Sequence, residues 1–143
     1  MRWLLLDEII KIEKKVTART RSRVPGGPVS PELLMMEMMA QTGALLLGAE
    51  KDFEEDVVFA KIERASFENG WRSGDSIEIE AASENLRPEG AWFEGSIRKM
   101  HGAVVARGKF LLMNVGHLLP NQTKPVTFHE AFMNHFRVRE KVR

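Results

Sequence analysis

A chain of 143 residues, 43% hydrophobic and 29% charged, is the size of one ordinary domain and has enough apolar content for a real core. Its 21 Lys and Arg nearly cancel its 20 Asp and Glu, and the resulting charge of +1 gives no field that would draw it to nucleic acid or an anionic membrane. The absence of cysteine excludes disulfides, thiolate metal sites and a cysteine nucleophile, and fits a reducing, cytoplasmic setting.

The opening Met1-Arg2-Trp3-Leu4-Leu5-Leu6 has an apolar run of only four residues before Asp7 and Glu8, too short for the core of a secretory signal. Over residues 8–20, Ile9, Ile10, Ile12, Val16 and Thr17 mix with charged residues and predict one strand. Residues 24–31 then gather three prolines and two glycines, which predicts an irregular but conformationally restricted loop. Ser30 is placed to accept a hydrogen bond as N-cap of a helix, and Pro31 sits at its first position, where the missing N–H costs nothing.

That helix, predicted from residue 31 to about 47, is apolar on nearly every side, and Gly48 can end it in a left-handed conformation. Glu37 and Gln41 interrupt its apolar stretch, which is also shorter than the roughly 20 residues that cross a bilayer, so it reads as a buried helix and not a membrane span. After an acidic loop over 50–56, strands are predicted over 57–67, 76–86, 91–100 and 103–115. Asn69-Gly70, Ser73-Gly74-Asp75, Pro88-Glu89-Gly90 and His101-Gly102 supply the intervening turns.

One strand, one buried helix and four further strands describe an α+β protein in which a curled antiparallel sheet wraps around a central helix. This order resembles the hot-dog fold, here over residues 1–115. An uncovered edge strand and helix end predict a homodimer or higher homo-oligomer. Residues 116–143 form a separate tail, beginning with a loop from His117 to Gln122. Thr127 followed by Glu130 reads as a capping box, and Phe128, Phe132 and Phe136 recur at i, i+4 and i+8. A short amphipathic C-terminal helix is therefore expected to pack on the domain or on a second copy.

Glu37 is the residue that needs explaining. A carboxylate in an apolar buried helix pairs with a partner, meets water in a cavity, or carries a raised pKa. Gln41 lies one turn later on the same face, and Ala44 and Gly48 continue that face with small side chains, leaving room for a narrow groove beside the carboxylate. The residues alone also permit a structural hydrogen bond or an interface ion pair.

From Arg23 to Gln41, Pro25, Gly26, Pro28, Pro31, Glu37, Ala40 and Gln41 fall at fixed offsets. This resembles the signature of the β-hydroxyacyl-acyl-carrier-protein dehydratases, His-Phe-Pro-Gly-x-Pro-x-x-Pro-Gly and, four residues on, Glu-Ala-x-Ala-Gln. Phe59 to Asp75 and Trp92-Phe93-Glu94-Gly95 are similar to later parts of the family, so the resemblance runs over roughly residues 4–115. It implies a β-hydroxyacyl or enoyl thioester on acyl carrier protein or coenzyme A as substrate, no metal and no redox cofactor. It assigns Glu37 as the acid that protonates the departing hydroxyl, and places Gln41, Arg23, Gly26, Gly27 and Pro28 around the substrate.

In the resembled family a histidine from the other subunit removes the α-proton, and Arg23 occupies the matching position. A guanidinium stays protonated at any working pH and is not a general base. Glu32 likewise stands where the family has a glycine whose N–H helps polarise the thioester carbonyl. None of His101, His117, His129 and His135 has a sequence-local carboxylate, so all four read as solvated, and the last two do not share a helical face that would suggest zinc. Met35, Met36, Met38 and Met39 read as core filling or as lining for an acyl chain. Arg19, Arg21, Arg23 and the basic tail are either solvated charge or an attraction for an acidic carrier or coenzyme A phosphates. Three functions follow from this reading: a dehydratase with an unidentified base, a thioesterase with Glu37 as base or nucleophile, and a half-site subunit that pairs with a histidine-bearing homologue.

Overall fold

The computed structural model describes residues 4–117, 121 and 125–143, so Met1 to Trp3 and most of the loop expected from His117 to Gln122 lie outside the described residues. Residues 8–20 form two antiparallel strands in place of the single one expected, β1 (Glu8–Glu13) and β2 (Thr17–Arg23). Between them Lys15 takes a φ of 65° and the Val16 N–H donates to the Glu13 carbonyl at 2.9 Å. This turn contains none of the residues that usually announce one, and composition therefore hides it.

Helix α1 (Pro31–Ala49) begins as the sequence predicts, with the Leu33 N–H donating to Ser30 Oγ. Strands β3 (Val57–Phe67), β4 (Ser76–Arg87), β5 (Gly90–Lys99) and β6 (Val104–Asn114) follow within two residues of their expected limits. All six strands join one antiparallel sheet in the order β1-β2-β4-β5-β6-β3. The sheet curls around α1, which approaches every strand. This is the hot-dog arrangement. No described helix is long and apolar enough to cross a membrane.

The core forms where α1 meets the middle strands. Met35, Met36, Met38 and Met39 are all at most 4% exposed and pack with Phe93, Phe110, Ile77 and Ile79. Gly95 and Gly108 face each other across β5 and β6. A Cβ at these positions would come within 3.0 Å of the Met39 sulfur and 3.1 Å of Met36 Cε, so two adjacent glycines set how closely the helix can seat. A buried hydroxyl pair, Thr20 to Thr42 at 2.8 Å, ties β2 to α1, and Thr42 also donates to the Met38 carbonyl.

Gly48 does not end α1 in a left-handed conformation. The helix runs on to Ala49, and the positive φ values come later, at Asp52 and Phe53. The glycine is required for another reason: a Cβ at Gly48 would overlap Cζ and Cε2 of Phe128. That ring meets Phe53 edge-on at 5.2 Å and begins a chain of aromatic contacts through Phe132 to Phe136. The C-terminal region contributes two short helices, α2 (Glu130–His135) and α3 (Val138–Lys141). The N-cap of α2 is His129 and not Thr127, because Nδ1 of His129 accepts from the Phe132 N–H at 3.2 Å, while the Thr127 hydroxyl accepts from the Val57 N–H.

In a helix interior Gly48→Ala gains about 1 kcal/mol of propensity, and the collision with the buried Phe128 ring costs about 1–3 kcal/mol. The substitution is expected to lower the melting temperature in the native background and to raise it once Phe128 is replaced by alanine. Thermal denaturation of the four proteins in this cycle reads both signs.

Candidate functional site

Glu37 is half-buried on α1, between methionines that are buried in the core. A hydrogen-bonded sequence fixes its surroundings: the Leu5 N–H donates to Gln41 Oε1 at 3.1 Å, and Gln41 Nε2 donates to Glu37 Oε1 at 3.4 Å. The first contact decides the second, because an amide whose oxygen is held by a backbone donor must turn its NH2 group the other way. Leu5 is itself held from β2, where the Ser22 hydroxyl donates to the Leu5 carbonyl. Burial among apolar neighbours raises the Glu37 pKa above the ordinary 4.5, and the Gln41 hydrogen bond offsets part of that rise.

The carboxyl opens into a cavity of about 780 Å³, large enough for a small-molecule ligand. It is lined by Glu37, Gln41 and Ala44 from α1, by Leu4 and Leu6 from the N-terminal segment, and by His129, Phe132 and His135 from the C-terminal segment. The groove expected beside Glu37 therefore exists, although Phe128 fills the space left by Gly48 at its far end. The four methionines of α1 do not line it.

A buried carboxylate holds the C-terminal segment in place. Asp56, 0% exposed at the start of β3, accepts from the Val126 and Thr127 N–H groups at 2.6 and 2.7 Å through one oxygen. Its own backbone N–H and carbonyl bond Gly116 and Val115. The acidic loop in which Asp56 lies gives no sign of this role in the sequence, because its partners are about 70 residues away.

The structure does not bring all the expected site residues together within one chain. Glu37 and Gln41 share the cavity, whereas Arg23, Gly26, Gly27 and Pro28 do not line it. The Pro-Gly loop is instead fastened to the β3–β4 turn: Ser73 Oγ donates to the Pro25 carbonyl at 3.2 Å, and Val24 exchanges backbone bonds with Asp75 and Gly74. Arg23 ends β2 as an exposed residue. Glu32, near the start of α1, accepts from Ser30 Oγ at 2.9 Å. His129 and His135, read from sequence as solvated, are exposed yet line the cavity that contains Glu37. Only the fold of the tail reveals this. Among the described residues no group of three or more His, Asp or Glu side chains could hold a metal ion.

No family model matches the chain. It is 32% identical over 126 residues to the 3-hydroxyacyl-[acyl-carrier-protein] dehydratase FabZ of Rickettsia rickettsii (strain Sheila Smith), a match covering 78% of this chain and 85% of that one. It is 38% identical over 87 residues to the bifunctional enzyme LpxC/FabZ of Chlorobaculum tepidum, where the match takes in 57% of this chain and 19% of the longer enzyme. Among solved structures, the dehydratase heterocomplex ApeI:P from Xenorhabdus doucetiae gives a TM-score of 0.64 at 20% identity, covering 85% of this chain and 86% of that one. A hypothetical thioesterase protein with coenzyme A from Streptococcus pneumoniae TIGR4 gives 0.61 at 13% identity, covering 76% and 85%. These two likenesses are of fold.

Two measurements check the site. Because the folded chain holds the Glu37 proton to higher pH than the unfolded chain does, stability falls as pH rises from about 4.5 through the raised value. Glu37→Gln is expected to remove that fall, so that its stability relative to the native chain is greater at pH 7 than at pH 4 by urea denaturation. Asp56→Ala leaves two backbone donors without their acceptor and is expected to cost about 3 kcal/mol. Hydrogen exchange should show protection lost at Val126 and Thr127 before it is lost in β4 and β5.

Proposed function

The chain belongs to the FabZ family of 3-hydroxyacyl-acyl-carrier-protein dehydratases, and we propose that it binds a β-hydroxyacyl or enoyl thioester and removes or adds water across its α and β carbons. The thioester is carried by acyl carrier protein or coenzyme A. The observation that carries this reading is Glu37: a carboxyl with a raised pKa, oriented by Gln41, at the wall of a largely apolar cavity. Hydroxide is a poor leaving group, so elimination needs an acid to protonate it as it departs, and burial favours the protonated form of Glu37. The apolar walls suit the acyl chain, and the elimination itself requires no change of oxidation state.

Arg23, Gly26, Gly27 and Pro28 enter this reading from a second copy. Strand β3 is an edge strand whose residues 60–66 are exposed, Ile62 among them at 48%. An open edge of that length is a surface for strand pairing, and a homodimer formed there would join two sheets. Arg23 at the motif position also supports a second reading, in which the chain is one half of a hetero-oligomeric site and a histidine-bearing homologue supplies the base.

The test is an assay of purified protein on short and long β-hydroxyacyl thioesters, following enoyl formation and thiol release together. The expected result is enoyl product without thiol release, lost by about 10²–10⁴-fold in Glu37→Gln. As the acid must carry its proton, kcat should fall as pH rises through the raised Glu37 value. Thiol release in place of enoyl product would move the chain to thioester hydrolysis. Silence in both channels, broken by adding a histidine-bearing homologue, would establish the half-site reading.

A further inference from the structure

We propose that His135, from the C-terminal helix of the same chain, is the general base that partners Glu37. This inference rests on the dehydratase reading above. A thioester carbonyl acidifies the neighbouring C–H, but a base must still take the proton, and Arg23 cannot do so. Of the four histidines in the chain, His101 lies in the β5–β6 turn and His117 follows β6, and neither lines the cavity. His129 and His135 do.

The hydrogen bonds distinguish these two. His129 spends the lone pair of Nδ1 on the Phe132 N–H, which puts the proton of the neutral ring on Nε2. In that state His129 is a donor with no lone pair free to take a proton. His135 has no hydrogen-bond partner among the described residues, and its ring is held only by an edge contact to Phe136, with centroids 4.7 Å apart. A neutral imidazole in that setting keeps one basic nitrogen available to the cavity.

Glu37 and His135 reach the cavity from separate helices. No Cα of α2 lies within 8 Å of a Cα of α1, so the two helices stand apart with the cavity between them. A thioester bound in this cavity meets both Glu37 and His135. An imidazole nitrogen of His135 takes the α-proton, and the electron pair of that C–H bond becomes the Cα=Cβ double bond. The Cβ–O bond breaks, and the departing hydroxyl takes the Glu37 proton and leaves as water. Transfer of the proton from the imidazolium to the Glu37 carboxylate through water in the cavity restores both groups.

The Asp56 anchor is what positions this base. By holding Val126 and Thr127 it sets where Phe128 enters the gap over Gly48, and from there α2 extends along the cavity to His135. A base supplied in this way would make each chain complete in both acid and base, whatever residue occupies the motif position.

The experiment is a kinetic comparison of the native chain, Glu37→Gln, His135→Gln, His135→Ala and the Glu37→Gln/His135→Gln double variant. Both His135 variants are expected to lose about 10²–10⁴-fold in kcat with KM changed only a few-fold. The double variant should lose little more than the worse single one, because both groups act in one step. Free imidazole should restore part of the activity of His135→Ala, since the site is exposed, and His101→Asn should match the native chain. If Glu37→Gln abolishes dehydration but His135→Gln stays within about threefold of native, the inference fails while the dehydratase reading stands. A His135 effect confined to KM, or one that imidazole does not relieve, overturns the assignment as base. A native chain with no dehydratase activity removes the reading itself and the inference with it.

Discussion

Helix α1 is apolar on nearly every side, and the rest of the chain is organised by the need to enclose it. Every strand of the sheet approaches it. The N-terminal segment around Leu4 to Leu6 covers another strip, and the tail beginning at Val126 approaches a third. The cavity lies where this enclosure is incomplete, and it is at that gap that the helix carries Glu37 and Gln41. A carboxyl at Met35, Met38 or Met39 would instead meet the packed core, with no room for a ligand.

Two polar devices, one half-buried and one fully buried, turn this gap into a defined site. The Leu5 N–H orients Gln41, and Gln41 orients Glu37, so the position of the carboxyl depends on a main-chain group in the N-terminal segment. Asp56 does the equivalent work for the opposite side by gripping two successive amides of the tail. Both devices join parts of the chain far apart in sequence, and both use directional hydrogen bonds in places where apolar packing would tolerate sliding. The same burial that orients Glu37 raises its pKa, so geometry and acidity have a common origin.

Much of this is legible in the order of residues. The Pro-Gly loop, the Ser30 cap, the apolar helix and the four later strands are local patterns, and the chain honours them within a residue or two. Glu37 stands out because a charge inside an apolar helix violates its own surroundings. The features that mislead share a cause. Gly48 reads as a helix terminator, yet its missing side chain makes room for Phe128, 80 positions away. Thr127 reads as a cap, yet its hydroxyl serves the start of β3 and His129 takes the cap instead. The turn at Lys15 carries no signal because its residues are not turn-formers and the pairing of β1 with β2 imposes it.

By itself the sequence determined the order of elements, the family resemblance and the carboxyl around which the site is built, because periodicity, turn chemistry and a misplaced charge are written in neighbouring residues. The tertiary structure alone decided the shape of the cavity and which other side chains meet Glu37 there. His135 and Glu37 are 98 positions apart, and they share a cavity only because Asp56 and Phe128 bring the tail back over α1. Contacts of that kind arise from how distant surfaces fill space around a buried helix, and no local pattern of residues encodes them.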